Sequence, residues 1–280
     1  MFDLQKFVGV KSYSFRTIKD NVECAKAIRY CESTVVDLSA AHVNYDEPDT
    51  WAKVVSDYAD NGVSIAGLGV VGMRSNDEAW NRKFFEFAKF AKAPLVSISF
   101  DPTDWELTVK NVEKLSEEYG ILTAIHNHGG YNWMGNSTAL KYVFSKCSKR
   151  IGLCLDTAWC IHTERENPVK WMEEFGDRMY GIHFKDFVWE RNGKHVDSIV
   201  GEGSLDLPAV LEKFCNMDNS SIISECTESF KNYFVNPSAH YFAYQTCDKS
   251  GQPVRVIPAV PDLDPGYHTN LSLIDVLKNS

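Results

Sequence analysis

The most constraining feature of this sequence is the regular alternation of short apolar runs with longer stretches whose apolar residues recur at helical spacing. Eight of the runs have the length and composition of buried strands. They cover residues 7–13, 33–39, 63–71, 94–100, 122–128, 151–157, 179–186 and 221–227. The clearest helical stretches cover residues 77–92, 103–120, 167–176 and 205–214. Strands that alternate with helices form parallel sheets, and eight such pairs predict an α/β fold, a single (β/α)8 TIM barrel.

The pattern weakens toward the C terminus, which bears on domain organisation. We assign residues 1–250 to the barrel and residues 251–280 to a C-terminal extension. We expect this arm to pack on the barrel or on a partner subunit, and a homodimer or homotetramer is compatible with it. No GxGxxG motif follows the first strand, which argues against a dinucleotide-binding fold.

Charge and cysteine usage narrow the class of protein. The formal net charge of -9 argues against a nucleic-acid partner, because Lys and Arg must neutralise the phosphates. No apolar run approaches the roughly 20 residues of a membrane-spanning helix, so no membrane association is predicted. The eight cysteines include no CxxC pair, which is typical of a reducing compartment. No signal peptide is visible, and we predict a cytoplasmic protein, with a removed export signal as the alternative.

Polar residues end four consecutive predicted strands. In barrels of this type, functional sites lie at the carboxyl ends of the strands. The residues are His126, Asp156, His183 and Glu225. Two imidazoles and two carboxylates that converge at one mouth predict a site for one divalent metal. Mixed nitrogen and oxygen ligands suit Mn, Co, Fe, Ni or Zn, and Mg, which prefers oxygen alone, is also kept as a candidate.

Strand geometry places a second layer of polar residues closer to the mouth. Residues two apart on a strand face the same side. His128 should therefore share a face with His126, and Lys185 with His183. We expect the deeper ring to hold the metal and the shallower pair to face the substrate.

At these residues the chain resembles the xylose-isomerase-like sugar phosphate isomerase/epimerase superfamily, which includes ketose 3-epimerases, inosose dehydratases and hydroxypyruvate isomerases. The resemblance covers about residues 7–230. The motifs that carry it are VGVKSYSFR, LDTAW, GDRMYGIHFKD, VGEGSLDLPAVLEKF and IISE. The combination of GIHFKD, GEG and LDT is a fairly specific signature, whereas any one motif alone is weak.

The resemblance implies a metal held by Glu, Asp, His and Glu at the ends of strands 5 to 8. The last three match Asp156, His183 and Glu225, but His126 stands where the family has a glutamate. His128 matches the family's following histidine. In the family, the two glutamates also act as acid and base. The histidine at position 126 therefore argues against a symmetric two-carboxylate mechanism and favours a lyase reaction.

Roles for individual residues follow from this placement. We predict Glu225 as the catalytic base, with His128 or Lys185 returning the proton. A salt bridge to a neighbour is the alternative role of Lys185. The predicted substrate contacts are Arg16, His42, Trp159 and Glu202. For each of them an ordinary structural role stays open.

The predicted function is that of a metal-dependent isomerase or epimerase of a sugar or sugar phosphate, which abstracts a proton next to a carbonyl and passes through an enediolate. The alternative is a lyase or dehydratase that acts on a keto-sugar, keto-inositol or 3-keto-glycoside at the same metal site. An abasic-site endonuclease fits less well, because it needs several zinc ions and a basic groove. A non-catalytic sugar-binding protein is the remaining alternative.

Overall fold

A computed structural model describes residues 8–31, 33–129, 132–164, 167–215 and 240–243. Ten strands lie in these residues. They are β1 (Val8–Lys11), β2 (Val35–Leu38), β3 (Ser64–Met73), β4 (Leu95–Phe100), β5 (Leu122–His126), β6 (Ile151–Asp156), β7 (Met179–Phe184), β8 (Asp186–Trp189), β9 (His195–Ser198) and β10 (His240–Ala243). Strands β1 to β7 pair in sequence, and β10 joins β7 to β1, so that eight parallel strands close a barrel.

Eight α-helices are described around the barrel. They are α1 (Asn21–Tyr30), α2 (Pro48–Ala59), α3 (Glu78–Ala91), α4 (Trp105–Tyr119), α5 (Ser137–Phe144), α6 (Thr157–Glu164), α7 (Pro168–Glu174) and α8 (Leu207–Cys215). None of the helices in this part of the chain is long and apolar enough to cross a membrane.

Local side chains set where several helices begin and end. The Asp20 carboxylate accepts the Glu23 N–H and so begins α1, and the Asp77 carboxylate accepts the Trp80 N–H at α3. Each such bond satisfies one of the amides that a helix start leaves unpaired. Helix α4 ends at Gly120, whose φ of 68° suits a residue without a side chain.

The strands that carry the site are buried over their whole length. Every residue of β5, β6 and β7 is buried. A parallel sheet covered by helices on one side and filled by side chains on the other excludes water from both faces. The strand ends are therefore rigid supports, and polar groups at those ends need partners.

The structure confirms the predicted α/β barrel and places seven strands within or close to the predicted runs. The predicted eighth strand, at 221–227, lies outside the described residues, as does the extension at 251–280. The position between β7 and β1 is filled by β10, which the sequence pattern did not predict. A second unpredicted feature is the antiparallel hairpin of β8 and β9 that follows β7.

Candidate metal centre and substrate cavity

Three of the predicted ligands meet at the ends of β5, β6 and β7. The ligand atoms of His126, Asp156 and His183 all lie within 4.8 Å of one another. His126 Nε2 is 3.5 Å from Asp156 Oδ2. Metal–ligand bonds of 2.0–2.1 Å in a tetrahedral site place neighbouring ligand atoms about 3.3 Å apart. The three side chains therefore fit one divalent cation.

The charge states of these groups suit a metal. Burial lowers the pKa of His183 to about 4, so its imidazole is neutral at pH 7. Burial alone would raise the pKa of Asp156, but the nearby His126 and Lys185 side chains and the Trp159 N–H outweigh it and hold the pKa below its usual range. Neutral imidazole and ionised carboxylate are the forms that bind metal ions.

A backbone hydrogen bond orients the Asp156 carboxylate. Its Oδ1 accepts the Trp159 N–H at 3.0 Å, at the start of α6. Its Oδ2 makes no hydrogen bond to the described residues and is the oxygen that faces His126. The strand-to-helix turn thus leaves one oxygen available for a cation.

Behind His183 lies a charged pair that the sequence analysis did not assign. Asp37 Oδ2 lies 3.2 Å from His183 Nε2 and 2.8 Å from Lys11 Nζ. Lys11 also donates to the carbonyl of Gly69. All of these side chains are buried. No local sequence pattern marks Lys11, which is brought beside Asp37 by the register of β1 and β2 in the folded barrel.

A cavity of about 490 Å³ opens at this end of the barrel. Five of the predicted site residues line it. They are Arg16, His126, His128, Trp159 and Lys185. Asp197, from the unpredicted hairpin, lines it as well. The structure therefore brings both residues of the predicted shallower layer, and His126 from the deeper one, to one cavity.

The shallower layer forms a stacked group on one wall. His128 lies over Trp159, with ring centroids 4.3 Å apart, and its Nδ1 donates to the Gly129 carbonyl at 3.1 Å. Nε2 of the neutral ring then carries the lone pair. Lys185 Nζ is 4.7 Å from the Trp159 centroid and 3.4 Å from Asp197 Oδ1. The expected alternative for Lys185, a salt bridge to a neighbour, is thus present, and Asp197 supplies it.

Two predicted substrate contacts do not line this cavity. His42 lines a neighbouring cavity of about 640 Å³, and its Nε2 donates to the Ile18 carbonyl at 2.9 Å. Glu202 is exposed in the loop before α8. Their contact with a substrate stays a prediction. Glu225, predicted as ligand and base, lies outside the described residues.

Comparisons with known proteins agree with this fold. The sequence model of the family described as "Xylose isomerase-like TIM barrel" matches residues 95–240. The fold and the site therefore define a TIM-barrel protein with a buried polar centre at its mouth. The chain belongs to the xylose isomerase-like TIM barrel family. No curated protein sequence matches it significantly.

Several solved structures share the barrel at low sequence identity. A D-allulose 3-epimerase from Methylomonas sp. is 11% identical, with a TM-score of 0.66 over 98% of each chain. The 3-keto-D-glucoside 4-epimerase from E. coli is 12% identical, with a TM-score of 0.64 over 97% of this chain and 99% of that one. The probable 3-DHS dehydratase from Bacillus anthracis is 11% identical, with a TM-score of 0.62 over 98% and 99%. At these identities the likeness concerns the fold.

Proposed function

We propose that this protein is a divalent-metal-dependent isomerase or epimerase of a sugar or sugar phosphate. The observation that carries the proposal is the buried His126, Asp156 and His183 group, which fits one cation beside a cavity of suitable size. Binding cavities for small molecules span roughly 300–1,000 Å³. Two structures with the same fold are epimerases of D-allulose and of a 3-keto-D-glucoside.

The chemistry asked of the site is removal of a proton next to a carbonyl. A bound divalent cation supplies a Lewis acid that stabilises the negative charge on the substrate oxygens. His128 takes or returns the proton at Nε2, because its Nδ1 is the donor to Gly129. Lys185 donates to a substrate oxygen. Glu225 keeps its predicted role as the second base.

The walls of the cavity suit a polyhydroxylated ligand. Trp159 offers an apolar ring to the face of a sugar, and Arg16 and Lys185 offer donors to its oxygens. Lys185 is half of an ion pair with Asp197, so a bound hydroxyl can bridge a donor and an acceptor. The hairpin that carries Asp197 therefore helps to select the substrate.

A lyase is the second candidate, and His126 favours it. At strand 5 the chain places an imidazole where the family it resembles has a glutamate. Among the described residues that line the cavity are two imidazoles, His126 and His128, the Lys185 ammonium and a single carboxylate, that of Asp197. This asymmetry suits one base that removes a proton and one acid, Lys185, that protonates a leaving hydroxyl. A protein named as a probable 3-DHS dehydratase has the same fold, which supports this candidate.

The test combines metal analysis with product analysis. Protein purified with Mn²⁺ should retain about one equivalent of metal, and His126→Ala, Asp156→Ala and His183→Ala should each lose it. His195→Ala is the control, since this residue also lies near the mouth but outside the triad. Equal metal in all variants would exclude the site.

Product analysis distinguishes the two candidate reactions. D-allulose, 3-keto-D-glucoside and 3-DHS are incubated with the Mn²⁺ protein in D2O and followed by NMR. An epimer or isomer that carries deuterium next to the carbonyl indicates the first proposal. A new carbon–carbon double bond indicates the lyase. Metal-loaded protein that gives neither product on a wider panel of keto-sugars supports a binding protein.

A further inference from the structure

Lys11 and Asp37 form a buried ion pair to which the proposed mechanism assigns no role. They are paired in register at the ends of β1 and β2, and each side chain is only 1% exposed. Removal of two charges from water is costly, and apolar residues of similar size often stabilise a fold at least as well. Stabilisation of the fold alone therefore does not account for an ion pair buried at this position.

The Lys11 ammonium is held at a defined position. It donates to Asp37 Oδ2 and to the carbonyl of Gly69 on β3. Gly69 has a φ of 133°, and a side chain there would collide with the Ser97 carbonyl on β4. Only glycine gives the backbone this conformation at such close approach. Three strands thus cooperate to hold one ammonium group.

The Asp37 carboxylate connects this ammonium to His183. Its Oδ2 lies 3.2 Å from His183 Nε2 across 146 residues of sequence. An ionised carboxylate only accepts hydrogen bonds, so Nε2 must carry the hydrogen. A neutral imidazole with hydrogen on Nε2 has its lone pair on Nδ1. The contact therefore selects the tautomer and orients the ring.

We propose that Asp37 and Lys11 are positioning residues for the metal ligand His183: Asp37 fixes its ring and tautomer, and Lys11 holds Asp37 in place. The inference rests on the proposed metal site. Carboxylates that accept from a ligating histidine are a general way to orient the ring and to make it a better ligand. Here the carboxylate has its own buried counter-ion, which cancels its charge.

The shared Asp37 oxygen explains why both residues are needed. Asp37 Oδ2 accepts from Lys11 Nζ at 2.8 Å and lies 3.2 Å from His183 Nε2, so one oxygen joins the ammonium to the imidazole. Without Lys11, the Asp37 carboxylate loses the donor that holds its Oδ2 in place, so it is free to turn away from His183.

Co²⁺ binding tests the role of the pair. The wild type, Lys11→Met and the double variant Lys11→Met/Asp37→Leu are titrated with Co²⁺ and followed by visible absorption. Loss of such partners typically weakens metal binding by about 10- to 100-fold. We expect this loss in both variants, with an altered Co²⁺ spectrum. The double variant removes both charges together, so it keeps the test usable if Lys11→Met does not fold.

Val36→Ala is the matched control. Val36 precedes Asp37 on β2, is fully buried and carries no charge. The substitution should lower stability and leave the Co²⁺ affinity and spectrum unchanged. Wild-type affinity in the double variant would overturn the inference and leave the proposed function intact. No Co²⁺ binding by the wild type would overturn the metal centre and, with it, this inference.

The tautomer of His183 is a readout that needs no metal. Protein labelled with ¹⁵N-histidine and freed of metal gives long-range ¹H–¹⁵N spectra, in which His183→Gln identifies the signals of His183. We expect hydrogen on Nε2 in the wild type and a mixture of tautomers in the double variant. Hydrogen on Nδ1 in the wild type would contradict the proposed contact.

Discussion

Asn127 and Asp156 hold each other through two hydrogen bonds that join the ends of β5 and β6. The Asn127 amide donates to the Asp156 carbonyl at 3.0 Å, and the Asp156 N–H donates to the Asn127 side-chain oxygen at 2.6 Å. Both residues are fully buried. Because Asn127 directly follows His126, the last residue of β5, this pair fixes the separation between two of the three candidate ligands.

Asn127→Ala should therefore weaken both folding and metal binding. Loss of two buried hydrogen bonds costs roughly 1–3 kcal/mol, which urea denaturation measures. Asn81→Ala is the control, since Asn81 is equally buried and makes the same two kinds of bond to the backbone of Arg74, with a third to the Asn111 side chain. We expect the Asn81 variant to lose at least as much stability, but weaker Co²⁺ binding only in the Asn127 variant. Equal Co²⁺ affinity in the two variants would show that Asn127 has no role in the site.

His126→Glu should make the stability of the protein depend strongly on metal. His126 Nε2 is 3.5 Å from Asp156 Oδ2, so a glutamate there places two carboxylates close together in a buried site. Like charges at that distance repel, and a cation relieves the repulsion. The metal-free variant should unfold at lower urea concentration than the wild type, and Mn²⁺ should restore more stability to it than to the wild type.

His126→Gln is the control for that comparison, because it removes the imidazole without adding a charge. Its stability should respond little to Mn²⁺. If Mn²⁺ stabilised the Glu, Gln and wild-type proteins equally, the cation would have to bind elsewhere.

The barrel was predictable from the sequence because its strands and helices leave local periodic patterns. Helix α4, for example, was expected at 103–120 and is found at Trp105–Tyr119. The hairpin of β8 and β9 was missed because the apolar run at 179–186 continues from β7 into β8. Its turn did carry a signal, an Asn192-Gly193 pair, with Gly193 at a φ of 83°.

The part of the candidate site that lies at the carboxyl ends of the strands was predictable from the sequence. The carboxyl ends of parallel strands converge, so His126, Asp156 and His183 could be grouped without a structure. The Lys11 and Asp37 pair could not be grouped with them, because its contact with His183 depends on closure of the barrel. Local patterns carry no information on contacts between residues 146 positions apart.

Asp186 should be the residue that holds the GEG loop. Its carboxylate accepts the backbone N–H groups of Gly201, Gly203, Ser204 and Leu205 at 2.8–3.0 Å. Asp186→Ala leaves these groups without their acceptor and should cost about 3 kcal/mol, since bonds to charged groups are the stronger ones. Hydrogen exchange of the loop amides should speed up.

Glu202→Ala distinguishes an effect on the structure of the GEG loop from the loss of a contact with substrate. Glu202 is exposed, so its removal should change neither stability nor amide exchange. A loss of activity with unchanged stability would confirm the predicted substrate contact. Unchanged exchange in Asp186→Ala would contradict the account of the loop.

His42 should make the metal-free protein less stable in mild acid. Burial lowers the pKa of His42 below its ordinary value of about 6.5, although the bond to Ile18 opposes the shift. As the pH falls below 6.5, the unfolded chain takes up this proton more readily than the folded one, so the free energy of unfolding decreases. Urea denaturation in EDTA at pH 7.5 and pH 5.5 measures the change.

His42→Gln keeps a donor for the Ile18 carbonyl but cannot take up a proton. It should therefore lose less stability between the two pH values than the wild type. His195→Gln is the control, because His195 is more exposed and its pKa is also lowered, and we expect a smaller effect there. An unchanged pH dependence in His42→Gln would mean that His42 is protonated as easily in the folded protein as in the unfolded chain.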